Sequence, residues 1–483
     1  MRIIPIVSVL GFLILSVGIA MLTALPFSLY YQESDFQPLL VSALICIAVG
    51  VILMAFMKRM EKEELRAREG FAIVTFGWIV VPAFATLPFL LSHTIPNFTD
   101  AFFETMSGFT TTGASILTDI EKMPHGLLFW RSMTHWLGGM GIIVLSLAIL
   151  PLLGIGGMQL FKAEVAGPTK DKLTPRVAET ARLLWGLYVF VTAVETVLLM
   201  FGGMSFFDAV CHSFATIASG GFSTRNASVA SFHSPYIEAV ITFFMFVAGT
   251  NFSLHYSALR GRFRSYFRDN EFVFFLVTFV VAASIVTIAV DHQVYHGNLL
   301  TSFRYASFNV MSIMSCTGFA TADFARWAPL AQVVLLFLMF PGACAGSTGG
   351  AMKNIRVLVL LKTAVNELKK LIHPKAVIPV RYNGRPVEQD VLFTIAGFII
   401  LYLVTFATAT IMLTALGTDL VTSMSGVASC MANCGPGLAG VGPMSNYAAL
   451  PGMAKWILDA CMLVGRLELF TVFVLFSGSF WRR

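Results

Sequence analysis

Charged side chains are what this chain has least of. Only 12% of its 483 residues are Asp, Glu, Lys or Arg, against 57% hydrophobic residues and 44 Phe, with a mean hydropathy of +0.79. Soluble domains carry roughly a quarter charged residues, so this composition excludes a soluble core, a disordered chain and a nucleic-acid binder. Cysteine is sparse as well. Cys46, Cys211, Cys316, Cys344, Cys430, Cys434 and Cys461 lie in apolar or Gly-rich stretches, and only Cys430-x₃-Cys434 approaches a ligand spacing. They read as structural thiols, and a disulfide scaffold is excluded. The phosphate-loop pattern G-x₄-G-K-[ST] is missing, and no nucleophile-with-base arrangement recurs. No catalysis and no bound nucleotide or other cofactor are expected in this chain. An integral membrane protein is what remains.

A membrane-crossing helix needs about 20 apolar residues. Charge-free windows of that size lie at 3–32, 36–57, 70–99, 132–161, 239–259, 327–352 and 391–418. The window 272–290 is nearly as long, 183–207 qualifies if Glu195 is tolerated, and 454–478 holds Asp459, Arg466 and Glu468. Ten spans are therefore expected, in an all-α fold. The N-terminal run is longer than the ~7–15 apolar residues of a signal peptide, and reads as a span. Lys and Arg outnumber Asp and Glu by 32 to 26, and they cluster in 58–68, 162–182, 260–268 and 362–385, whereas 92–128 holds a single Lys. By the positive-inside bias these four segments and both termini face the cytoplasm. The basic segments are equally compatible with plain sidedness signals and with docking sites.

Four segments between spans resemble one another: DAFFETMSGFTTTGAS (100–115), DAVCHSFATIASGGFS (208–223), YASFNVMSIMSCTGFA (305–320) and TSMSGVASCMANCGPG (422–437). They align on Gly113, Gly221, Gly318 and Gly435, each preceded by a ten-residue helix-like stretch. The unit is span, short apolar helix, small-residue loop, span. It divides the chain into a two-helix prefix (1–68) and four repeats, 69–182, 183–270, 271–385 and 386–483. Each unit crosses an even number of times, so the units are parallel and can surround one axis. Inverted-repeat transporters need an odd number.

A helix of about 11 residues is roughly 16 Å long, half the hydrocarbon thickness. It can stop at the midplane, where irregular backbone is tolerated only inside protein or along a water-filled path. Four helix C-termini aimed at that point favour a cation. The loops are Thr110, Thr111, Thr112 and Gly113; Ala218, Ser219, Gly220 and Gly221; Ser315, Cys316, Thr317 and Gly318; and Ala432, Asn433, Cys434 and Gly435. None holds a carboxylate, so backbone carbonyls are the main ligands. That is the chemistry of K⁺ selectivity, with K⁺ expected at Thr111, Thr112, Ser219, Gly220, Cys316, Thr317, Asn433 and Cys434. The plainer alternative is four loops packed around a dry core.

The Gly-centred loops, the run Gly342-Ala-Cys-Ala-Gly-Ser-Thr-Gly-Gly350 and Gly465-Arg466-Leu-Glu468 together resemble the TrkH family of membrane subunits of Trk-type potassium uptake systems, in the Trk/Ktr/HKT superfamily. The likeness runs through the prefix to the closing Phe480-Trp481-Arg482. It implies a K⁺-translocating, channel-like homodimer in the bacterial inner membrane, gated by a cytosolic nucleotide-binding ring (TrkA-like) that carries ATP, ADP or NADH. Pro341-Gly342 stands where relatives often have Gly-Gly, which bears on loop stiffness. Plant relatives with serine at the first filter glycine favour Na⁺; Gly113 is kept here.

Arg466, in the last span, is a charge that must face a pore or a partner. Glu468, two positions on, lies on another helix face. The resemblance makes Arg466 a barrier below the filter, and Gly342, Ala345, Gly346, Ser347, Thr348, Gly349 and Gly350 a mobile gate; a packing kink is the other reading. Lys353 is either a snorkelling anchor or part of that gate. His135, His212 and His255 read as hydrogen-bonded structural residues, and Glu195 and Asp459 carry no assignment. Two other classes compete: a secondary transporter coupled to H⁺ or Na⁺, and a membrane enzyme acting on lipid.

Overall fold

The computed structural model describes residues 3–55, 67–148 and 173–481. The basic residues Lys58, Arg59, Lys62 and Arg66, most of the 162–182 segment and the end of the 132–161 window lie outside the described residues. Among the described residues the regular structure is helical, apart from a two-stranded hairpin pairing Arg381 with Pro386 and Tyr382 with Arg385.

It opens with α1 (Ile3–Leu22), α2 (Leu25–Tyr31) and α3 (Phe36–Ala55). Helices α1 and α3 cross closely because glycines face each other. A Cβ built on Gly50 would lie 2.7 Å from the Leu15 nitrogen, and one on Gly18 2.9 Å from the Ala43 carbonyl. Small residues at such a crossing let backbones approach where lipid offers no hydrophobic drive between helices. Then come α4 (Ala67–Ala85), with Pro82 inside it, and α5 (Leu87–Leu91), which together make the third long apolar segment.

Four short helices follow at intervals: α6 (Phe98–Phe109), α9 (Phe206–Ile217), α14 (Leu299–Met314) and α18 (Leu420–Ala432). Each starts at a polar cap whose side chain accepts a backbone N–H of the first turn: Asn97, Ser205, Asn298 and Asp419. Caps of this kind satisfy donors that a helix start leaves orphaned. Three of the caps lie 16 residues before the aligned glycine, whereas Asn298 lies 20 before Gly318, so α14 is about one turn longer than the other three short helices.

Between them run α7 (His125–Ala148), α8 (Leu173–Phe201), α10 (Pro235–Gly249), α11 (Phe252–Leu259), α12 (Arg264–Arg268), α13 (Asn270–Val294), α15 (Pro329–Leu338), α16 (Asn354–Ile372) and α17 (Gln389–Ala415). The chain closes with α19 (Gly452–Arg466), α20 (Phe470–Phe473) and α21 (Gly478–Trp481). Among the described residues, six segments are long and apolar enough to cross a membrane. Three other windows are broken, that at 327–352 within the glycine run, where a loop or kink is expected. The 239–259 window bends by 102° between α10 and α11, where Asn251 turns its side chain to cap Ser253 at 2.8 Å. The 327–352 window is helical only to Leu338 and then irregular to Lys353. In 454–478, α19 stops at Arg466 because Glu468 and Leu469 have φ of 56° and 34°. Arg466 therefore ends a helix instead of sitting within one.

The α1–α3 crossing makes a stability prediction. Gly50→Val should destabilise by about 1–3 kcal/mol through overpacking. Gly186→Ala, on α8 with nothing within 4 Å, should stabilise by about 0.5–1 kcal/mol. Melting temperatures of the purified variants check both signs.

Candidate ion pathway

The four short helices end in one motif. Two residues before each aligned glycine, Thr111, Ser219, Cys316 and Asn433 adopt left-handed φ of 52°, 56°, 60° and 53°. The next residue's N–H (Thr112, Gly220, Thr317, Cys434) donates to the carbonyl five positions back at 2.8, 2.8, 2.8 and 2.9 Å. The left-handed residue's own N–H donates three positions back at 2.9–3.3 Å. This is the Schellman arrangement that normally employs glycine. A β-carbon in that conformation costs roughly 1–2 kcal/mol, yet side chains of four kinds occupy it. The aligned glycines follow at φ of 82°, 77°, 85° and 98°.

The loops meet in cyclic order. A Cβ built on Gly113 would run into the Gly220 carbonyl oxygen, one on Gly221 into that of Thr317, and one on Gly318 into that of Cys434. On Gly435 it would lie 2.7 Å from the Thr112 oxygen. Each glycine thus seats a carbonyl of the following loop, and the fourth returns to the first. Thr110, Thr111, Thr112, Ala218, Ser219, Ser315, Cys316, Thr317, Ala432, Asn433 and Cys434 are all fully buried. Asn433 adds a cross-link, donating to the Thr112 hydroxyl and the Met462 carbonyl, both at 3.0 Å. A cavity of about 150 Å³ borders all four aligned glycines.

Residues 342–350 lie on the other side of the ring, against the helix ends. Gly349 abuts the Ser315 carbonyl, Gly350 that of Ala432, and a Cβ on Gly342 would stand 3.3 Å from the Cys316 sulfur. The Thr348 hydroxyl reaches the Ser219 hydroxyl at 2.8 Å and the Ile217 carbonyl at 2.9 Å. Gly346, at φ 71°, faces Asn251, and its carbonyl accepts from the Phe252 N–H at 3.1 Å. Buried Ser347 sits next to Thr348. Lys353 turns its ammonium back onto the Gly349 carbonyl. The Arg466 guanidinium donates to the carbonyls of Thr348 at 2.8 Å and Gly138 at 3.4 Å. No carboxylate pairs with it among the described residues. Glu468 pairs with Arg356 instead. So the structure brings the glycine loops, the 342–350 run, Lys353 and Arg466 into one place. Glu195 and Asp459 are buried, and neither forms an ion pair with a described residue.

Apart from His212, expected as a structural histidine and hydrogen-bonded through both ring nitrogens, the following residues of this place were not singled out by the sequence. Glu271 of α13 accepts from the N–H groups of Ala345 at 2.7 Å and Ile355 at 2.9 Å, tying down both flanks of the glycine run. Nine positions before three of the aligned glycines, Glu104, His212 and Asn309 bind the chain leaving the loop: Ser115 and Ile116, Ser223, and Thr321 respectively. In the fourth loop that position is Gly426, and Ser425 does the same to Leu438. Spacing relative to the glycines was the signal available. His135 and His255 are hydrogen-bonded through both ring nitrogens, as expected of structural histidines.

Residues 37–483 match the TrkH family, described as a cation transport protein. The chain is 44% identical over 94% of both chains to the Trk system potassium uptake protein TrkH of Salmonella typhimurium. It is 40% identical over 99% of both to the protein of that name from Halomonas elongata. The crystal structure of the potassium transporter TrkH from Vibrio parahaemolyticus superposes with a TM-score of 0.91 at 37% identity, covering 100% of each chain.

The nested ring predicts opposite outcomes for two glycines. Gly221→Ala meets the Thr317 carbonyl and should abolish cation flux. Gly203, at φ 95° but with nothing within 4 Å, should tolerate Ala with intact flux and about 1 kcal/mol of lost stability. Flux per reconstituted protein and melting temperature separate the two.

Proposed function

The chain belongs to the TrkH family of cation transport proteins, and on that premise we propose that it takes up K⁺ through a pore lined by the four glycine loops. The observation that carries this is their cyclic nesting, glycine against the next loop's carbonyl. Backbone of this kind at membrane depth is tolerated inside protein or along a water-filled path; the cavity bordering all four glycines supports the path, and oxygens held by neighbouring loops can replace a hydration shell without collapsing onto the ion. The K⁺ ligands in this reading are carbonyls of Thr111, Thr112, Ser219, Gly220, Cys316, Thr317, Asn433 and Cys434. Four helix ends supply partial negative charge.

The broken windows count as crossings here, giving ten spans and four parallel repeats with the cavity side outward and both termini in the cytoplasm of the bacterial inner membrane. Segment 342–350 and Arg466 form the gate. A guanidinium met only by carbonyls keeps its charge, and on a cation path that charge is a barrier. Moving the segment frees Arg466 from the Thr348 carbonyl and withdraws Thr348 from Ser219. Lys353 belongs to this gate because its ammonium binds the moving backbone. A cytosolic nucleotide-binding ring, TrkA-like and loaded with ATP, ADP or NADH, would act on it, with the membrane subunit as a homodimer.

Flux of K⁺, Rb⁺ and Na⁺ into proteoliposomes tests the reading. K⁺ and Rb⁺ should pass well ahead of Na⁺ in the wild type, and Gly113→Ser should blunt that preference. Arg466→Ala should raise flux several-fold, about 1 kcal/mol or more off the barrier. Gly346→Ala with Gly349→Ala should change flux or its response to nucleotide. Flux indifferent to ion and to Gly113 would remove the filter.

A further inference from the structure

Besides Arg466 and Arg356, Arg131 of α7 is a buried guanidinium, and it lies on the cavity side of the ring. It borders the same cavity as the four aligned glycines. Unlike Arg466 it has a carboxylate: its Nε donates to Glu104 at 2.7 Å, with both side chains at most 3% exposed. We infer that the Glu104–Arg131 pair is a specificity-determining element of the pore, fixing the exits of the first two filter loops and cancelling a positive charge at the mouth. The inference rests on the K⁺-pore reading above.

The pair touches both loops directly. Glu104 accepts from the Ser115 hydroxyl and the Ile116 N–H, each at 2.9 Å, just beyond Gly113. Arg131 donates to the Ser223 carbonyl at 3.1 Å, and its guanidinium lies 3.5 Å over the Phe222 ring, just beyond Gly221. One turn along α7, His135 repeats the link. Its Nδ1 meets the Gly108 carbonyl at 2.8 Å, and its Nε2 accepts from the Phe222 N–H at 3.2 Å. The first loop is thus bolted to the second through one face of α7.

The other loops show what the charge is for. At the position of Glu104, the second and third loops fasten their exits with His212 and Asn309, and the fourth uses Ser425. Fastening therefore does not need a carboxylate. Both guanidiniums that line the cavity are met by an acid: Arg225, beyond the second loop, by Asp208 at 2.9 Å, and Arg131 by Glu104, the pair in which both side chains are buried. A bare cation at a narrow, low-dielectric mouth repels the ion that must enter. Leaving Arg131 charged without its partner is also far worse than replacing both.

Three variants separate field from geometry in proteoliposomes. Glu104→Gln keeps the shape and the bond to Ser115 but uncovers the guanidinium, so the apparent KM for K⁺ should rise about tenfold. Adding Arg131→Met should bring KM back toward wild type while K⁺-over-Na⁺ preference stays low, since Ser223 has lost its donor. Arg131→Lys keeps the charge but cannot hold Glu104 and Ser223 together, so preference should fall with KM unchanged. A folded Glu104→Gln with wild-type KM and preference would overturn the inference. If that variant does not fold, an unchanged preference in Arg131→Lys does so instead. A pair that only stabilises the fold would lower the yield of active protein and move neither KM nor preference. Wild-type protein without K⁺ preference would take down the pore reading itself, before any variant is compared.

Discussion

Four carbonyl oxygens, each seated against a glycine of the preceding loop, hold the centre of this molecule together. Because the seats are cyclic, no loop can shift without its neighbours, and a side chain at any one glycine would collide with backbone. Everything else follows the need to bring four irregular segments to one depth in an apolar protein. Polar caps start the short helices, Schellman turns end them, and polar residues within each helix catch the departing chain. Backbone donors buried away from water need partners, and the turns supply them for two N–H groups in each loop at the expense of a non-glycine residue in the left-handed region four times over.

Two of the buried guanidiniums, Arg131 and Arg466, approach the ring from opposite sides. Arg131 is compensated by Glu104, so its contribution is local and geometric. Arg466 is met by carbonyls of Thr348 and Gly138, dipoles that solvate the charge without cancelling it. It is bound to the glycine-rich segment 342–350. Among the described residues the same guanidinium group is thus paired on one side of the ring and unpaired on the other, and the difference is a single carboxylate.

The glycine register made the four loops legible, because a positive φ packed against backbone leaves few residue types available. The 342–350 run was legible for the same reason. The left-handed positions were not, since Thr111, Ser219, Cys316 and Asn433 share a backbone conformation and no side-chain type. Hydropathy placed the apolar windows but averaged over their breaks, at Thr250-Asn251 and at Glu468-Leu469. Glu104 and Arg131 are 27 residues apart, and Glu271 is 74 from Ala345. Pairings at that distance become visible only once the chain is folded.

The corners of the ring are alike in backbone and unlike in side chain. Ser219 touches the 342–350 segment through Thr348, Cys316 lies under Gly342, and Asn433 bridges to Thr112 and α19. A ring built from four identical chains would have to repeat each of these contacts, and would bring four copies of Arg466 toward one axis. Carrying all four corners on one polypeptide lifts that requirement. A single codon change alters one quarter of the ring, so each corner can drift toward its own task while three intact ones keep the aperture.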